Sequence, residues 1–203
     1  MASHTSDEHW AVSPQELAKV VRDAYQFYKD NKVERYQSMA LDLVRRYVVQ
    51  EGMPRESDPF YGAALFIVTR HPWSHPNPLT KNEFAVKLRM KESSLEWYVD
   101  TIAEKLGFAT LRDTARLPYY LDPEGTIASV VDAVVRGSVG ERVVSALVTG
   151  DVVPPEELTE QIVDRLCNVV KIVPRGFEQG LAGMVRRKID DVSRPLLNQL
   201  TGQ

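Results

Sequence analysis

His71 and His75 stand four residues apart, a spacing that on an α-helix sets two imidazoles on one face as metal ligands. Pro72 and Pro76 deny them that helix, and no carboxylate or cysteine falls at ligand spacing, so no metal is expected. The run from His71 to Pro78 reads instead as a stiff loop with Trp73 anchored on a core. Cys167 is the only cysteine, which excludes an intramolecular disulfide and any zinc site built on paired cysteines. No His or Asn is placed by sequence to activate it, so it reads as a small core residue rather than a nucleophile. Gly-rich phosphate loops, a nucleophile elbow and paired carboxylates in a plausible cleft are all missing. The expectation is a protein that is not an enzyme, with no catalytic residue and no cofactor.

The charged residues are more informative. Lys81, Lys87, Arg89 and Lys91 form a modest basic edge of the kind that meets phosphates. Directly after them, Glu92, Glu96, Asp100 and Glu104 recur at four-residue steps and make an acidic stripe. A base-reading helix would carry Arg, Lys, Asn or Gln there, and facing phosphates the stripe would repel; it reads as a partner-facing surface. Arg186-Arg187-Lys188 is the densest basic run, on an amphipathic helix with Leu181, Met184, Val185 and Ile189; it is either a nucleic-acid contact or a solvated face. Arg45 and Arg46 read as a solvated basic edge. With a formal net charge of −3, the whole chain exerts no pull on phosphates, so nucleic-acid binding would need a local basic face.

These residues sit on a chain of helices. Ser13-Pro14-Gln15-Glu16 is a capping box that opens a helix running to about Asn31, with Leu17, Val20, Val21, Ala24, Phe27 and Tyr28 on its apolar face. Tyr36, Met39, Ala40, Leu43, Val44 and Tyr47 define a second helix, closed by Gly52 and Pro54. Ser57-Asp58-Pro59 starts a third, small at Gly62, Ala63 and Ala64 and apolar on nearly every side, hence buried and central. Thr80-Lys81-Asn82-Glu83 is another capping box, and its short helix turns Phe84, Ala85 and Leu88 inward. The helix after Met90 turns in Leu95, Tyr98, Val99, Ile102 and Leu106 and stops at Gly107. Ala85, Leu88, Met90 and Leu95 have the spacing of a helix-turn-helix, which any tight helical hairpin shares.

Residues 1–12 read as a loose terminus, 13–107 as one helical domain, 108–123 as a connection and 124–203 as a second helical region. In that region, helices are expected at roughly 124–136, 138–149, 155–172, 176–188 and 190–200, with a capping box at Ser138-Val139-Gly140-Glu141. Short strands at Tyr119-Tyr120-Leu121 or Val152-Val153 stay open. An apolar fraction of 43% over 203 residues is enough for a proper core. The longest apolar runs, Val130 to Val135 and Ala63 to Val68, fall far short of the roughly 20 residues of a membrane span, and no secretory signal is present. The fold class is therefore mainly α, and the expected location is cytoplasmic, with no membrane partner.

From Met39 to Gly107, about a third of the chain, the order of residues resembles a cyclin-type repeat of the archaeal transcription initiation factor B and its eukaryotic counterpart, factor IIB. The resemblance is carried by Ala40 and Leu43, by Gly52 and Arg55 at the turn, and by Ala63-Ala64 with Phe66 and Arg70. Thr80, Glu83, Ala85 and Leu106-Gly107 complete it. It implies a cyclin-like multi-helix bundle closed by a helix-turn-helix-like hairpin, and an archaeal, non-catalytic protein in transcription that binds a protein or a protein–DNA assembly through grooves between helices. A single cysteine cannot build that family's zinc ribbon, and residues 124–200 do not restate the repeat. A protein partner is the first expectation. Direct DNA binding through Lys81, Lys87, Arg89 and Lys91 is the alternative, and the oligomeric state stays open.

Overall fold

The structure, a computed structural model, describes residues 12–201, and side chains of residues 12–195. The loose terminus expected over residues 1–12 lies outside the described residues except for Val12, which is buried. The described chain is mainly helical, as expected, with a single two-stranded sheet, and it gathers into two compact units. One contains the residues up to Thr69 together with Leu79–Leu106; the other contains Arg70–Pro78 and the chain from Gly107 onward.

The first unit is built from α1 (Pro14–Asp30), α2 (Gln37–Glu51), α3 (Ser57–Thr69), α4 (Lys81–Lys87) and α5 (Glu92–Lys105). The two capping boxes form as the sequence requires. Ser13 Oγ accepts from the Glu16 amide at 3.3 Å while the Glu16 carboxylate accepts from the Ser13 amide at 2.9 Å, and Thr80 and Glu83 repeat the arrangement. α3 is buried at every residue from Phe60 to Val68, because it is apolar on all sides and so is solvated least at the centre. Phe60 is the hub of an aromatic cluster, its ring centroid 5.0 Å from Tyr47 and 5.8 Å from both Tyr61 and Tyr98. Tyr28 donates to the Tyr61 carbonyl at 3.0 Å, tying α1 to α3. Gly62 permits a close approach: a Cβ there would lie 2.6 Å from Met90 Cε and 3.3 Å from Leu88 Cδ1, so the α4–α5 turn rests on bare α3 backbone. Met39, expected inward, is half exposed, because α2 buries Ala40, Leu43, Val44, Tyr47 and Val48, a stripe centred one position on.

In the second unit, β1 (Ala109–Arg112) and β2 (Pro118–Leu121) pair antiparallel with Ala109 opposite Leu121 and Arg112 opposite Pro118. The expected connection at 108–123 is thus a β-hairpin. Its Leu111, Tyr119 and Leu121 alternate inward and become core residues, which a linker could not supply. The strand left open at Tyr119-Tyr120-Leu121 forms, and the one at Val152-Val153 does not. Loop residues 70–78 join this unit through Arg70, whose carbonyl accepts from the Tyr120 amide at 2.7 Å.

Three helices complete the unit: α6 (Thr126–Thr149), α7 (Pro155–Asp164), which continues into a π-helical turn at Arg165–Val169, and α8 (Glu178–Thr201). The break expected between residues 136 and 138 does not occur, and Ser138 is buried mid-helix rather than capping one. Val131, Val135 and Val139 form one uninterrupted buried stripe, and packing it outweighs the cost of about 1 kcal/mol for each helical glycine. Likewise residues 176–188 and 190–200 are one helix, since Leu181, Val185 and Ile189 keep four-residue spacing through the expected break. Among the described residues no helix is long and apolar enough to cross a membrane.

Candidate partner-binding surface

The α4–α5 hairpin decides what its charges can do. The Thr80 cap starts α4 so that Lys81 points across the hairpin, where its Nζ lies 2.9 Å from Glu96 Oε1 and 3.5 Å from Asp100 Oδ1. Asn82 donates to Glu92 Oε2 at 2.7 Å. The basic edge and acidic stripe, read from sequence as separate surfaces, therefore partly close on each other. Lys81 is not a free phosphate contact, and Glu96 and Asp100 face it as well as solvent. Lys87, Arg89 and Lys91 remain exposed at the α4–α5 turn and make no ion pair among the described residues, with Arg89 in the left-handed region at φ 55°. Glu104 is also exposed without an ion pair among those residues.

Beside this stripe lies a shallow cleft of about 250 Å³ lined by Arg55, Glu56, Ser93, Ser94, Trp97 and Tyr98. Leu95, Tyr98, Val99 and Ile102 fix the rotation of α5 by turning into the core, and that rotation leaves Trp97 outside, 54% exposed. Its ring packs at 82° and 4.7 Å against Tyr98, which holds the indole in place. The Tyr98 hydroxyl accepts from the Glu56 amide at 2.8 Å, so the turn after Gly52, at φ 90°, forms the opposite wall. The sequence reading divided α5 into an inward set and an acidic set and passed over Trp97. The available signal was a large aromatic placed outside the buried positions.

The other expected sites take different roles. Arg186 pairs with Glu156 at 2.7 Å and Asp190 at 3.6 Å, and Lys188 pairs with Asp132 at 3.1 Å. Arg187 is the exposed member of that run, its Nε donating to the Gly183 carbonyl at 3.3 Å. Hydrogen bonds from Arg136 first, then from Lys188, hold the Asp132 carboxyl below its usual range. These ion pairs fasten α8 to α6 and α7 and engage two of the three basic side chains of that run. Asp132 and Lys188 also edge a cleft of about 550 Å³ with apolar walls from Ala109, Leu121, Pro123 and Met184.

The two histidines flank the tight turn Pro72–Ser74. His75 packs edgewise on Tyr119 and Phe177, with its Nε2 3.7 Å from Asp113 Oδ2. Trp73, expected on the core, is 53% exposed. In the tight turn Pro72–Ser74, Pro72 takes the inward position and its neighbour swings outward. The guanidinium of Arg70, itself buried, donates to the Asn77 carbonyl and stacks over Tyr119. Cys167 is buried, and burial raises its thiol pKa, away from nucleophilic use. Among the described residues, no group of three or more His, Cys, Asp or Glu gathers where it could hold a metal. Compared with known proteins, the chain matches no family model, no curated protein and no solved structure.

Proposed function

We propose that this chain is a non-catalytic interaction protein that binds a protein partner at the Trp97 cleft of its first unit, in the cytoplasm and in a transcription-related assembly. The carrying observation is Trp97 itself, half exposed yet held by Tyr98 beside Arg55. An exposed aromatic held in place beside an arginine suits a binding anchor, because Trp, Tyr and Arg are the residues that concentrate binding energy at protein interfaces. The cleft is presented by packed helices, so little ordering entropy is lost on binding. The transcription part rests on the cyclin-like order of residues from Met39 to Gly107.

A photo-crosslinking residue at Ser93, with a control at exposed Lys19 on α1, tests this in the source cells. The expected result is a protein adduct from position 93 that survives nuclease treatment, is absent at position 19, and is lost with Trp97→Ala. Adducts to nucleic acid alone, or equal adducts at both positions, refute it.

One observation favours a second reading. Lys87, Arg89 and Lys91 cluster exposed at one turn and could contact phosphates of DNA. That reading requires a mobility shift whose affinity falls steeply between low and moderate salt and is lost in Lys87→Glu/Lys91→Glu.

A further inference from the structure

We infer that the segment docking at the Trp97 cleft is a basic, arginine-bearing stretch of the protein partner. This rests on the interaction reading above and narrows it to a chemical class.

Charge on the page selects the occupant. Asp100 and Glu104 lie three and seven residues after Trp97, on the same exposed face of α5, and Glu96 adjoins it. Glu56 lines the cleft and Glu92 opens the helix. Against Glu56, Glu96, Asp100 and Glu104 the surface sets Lys81, shared between Glu96 and Asp100, and Arg55. Glu92 is met by the neutral amide of Asn82, and Glu104 has no ion pair among the described residues. Two negative charges are left over beside an exposed indole. Lys87, Arg89 and Lys91 stand with Glu92 at the amino-terminal end of α5, and Lys105, next to Glu104, is paired with Glu51 at 3.1 Å.

An indole face flanked by carboxylates is chemically complementary to a guanidinium, which can stack on the ring and fork its N–H groups to a carboxylate. Lysine offers the charge without the planar stack. An acidic segment or a phosphate backbone would bring like charge onto Asp100 and Glu104, a cost that selects against such partners. The same field should steer the encounter and make it salt-sensitive.

The test uses the full chain and fluorescein-labelled synthetic peptides of one length, carrying arginine, lysine, glutamine or glutamate at helical spacing, read by anisotropy. The arginine peptide should bind most tightly, the lysine peptide less so, and the glutamate peptide not at all, with affinity falling as salt is raised. Trp97→Ala should weaken the arginine peptide about tenfold. Asp100→Asn/Glu104→Gln should weaken it severalfold and flatten its salt dependence. Each of these side chains is exposed, and unchanged circular dichroism checks that the variants fold. Equal binding of the arginine and glutamate peptides, no binding of any peptide, or an unchanged affinity in Trp97→Ala overturns the inference. A crosslinked partner whose contacting segment lacks basic residues overturns it too, while leaving the interaction reading intact.

Discussion

Replacing Phe60 with alanine tests the packing that positions the Trp97 cleft. Phe60 is fully buried and its ring touches Tyr47, Tyr61 and Tyr98, so three aromatic pairs meet on one side chain. Removing a buried Phe ring costs about 3–5 kcal/mol through lost transfer energy and the cavity left behind. Phe60→Leu keeps most of the apolar volume and loses chiefly ring-on-ring contact, about 0.5–1.5 kcal/mol per pair, so it should cost less than the alanine variant. Urea unfolding should be followed through Trp97 with the chain's other tryptophans, Trp10 and Trp73, replaced by Phe. With a urea m-value of about 2 kcal/mol/M, a loss of about 4 kcal/mol moves the midpoint by about 2 M at constant m. The Tyr98 hydroxyl also holds the Glu56 amide, so the alanine variant should loosen the cleft and shift Trp97 emission in the native baseline. An alanine variant within about 1 kcal/mol of the parent, or no different from the leucine variant, would refute Phe60 as the hub.

Ala64 is fully buried in α3, so Ala64→Leu should overpack the helix and cost about 1–3 kcal/mol; unchanged thermal stability counts against that burial. The Glu83 carboxylate is held below its usual range by hydrogen bonds from the Thr80 amide and then the Thr80 hydroxyl. Its folded pKa is lowered, so this contribution is fully present above the unfolded value of 4.5 and is lost as pH falls through the folded value. The stability gap between parent and Glu83→Gln should therefore be open at neutral pH and close in acid, and a gap that widens in acid contradicts the capping box. Cys167, buried with its thiol pKa raised first by burial, should react with a thiol reagent far more slowly in the native protein than in denaturant at the same pH. Equal rates would place it at the surface.

Much of the first unit was legible from sequence because its signals are local. Capping boxes at Ser13 and Thr80, the stop at Gly52 and the all-apolar α3 depend on neighbours within a turn or two, and each formed where expected. The second unit was harder for the opposite reason. Leu111 and Tyr119 look like linker residues until a hairpin places them on a common core, and Ser138-Val139-Gly140-Glu141 imitates a helix start that the continuous stripe of Val131, Val135 and Val139 overrides. Trp73 and Trp97 escaped correct placement because residue type says only that an indole is large, and helix rotation settles which way it points.

The sequence alone determined that the chain is mainly helical, where several helices begin, which one is central and that one cysteine cannot staple or ligate in pairs, since composition and short-range periodicity suffice for each. Only the tertiary structure decided which charges are spent internally. Lys81 meets Glu96 and Asp100 across fifteen and nineteen positions of chain, and Lys188 meets Asp132 across fifty-six, separations at which pairing follows from packing geometry and leaves no trace in spacing. Packing also turned Trp97 outward beside Arg55, at the edge of a shallow cleft that the helix-turn-helix spacing does not reveal.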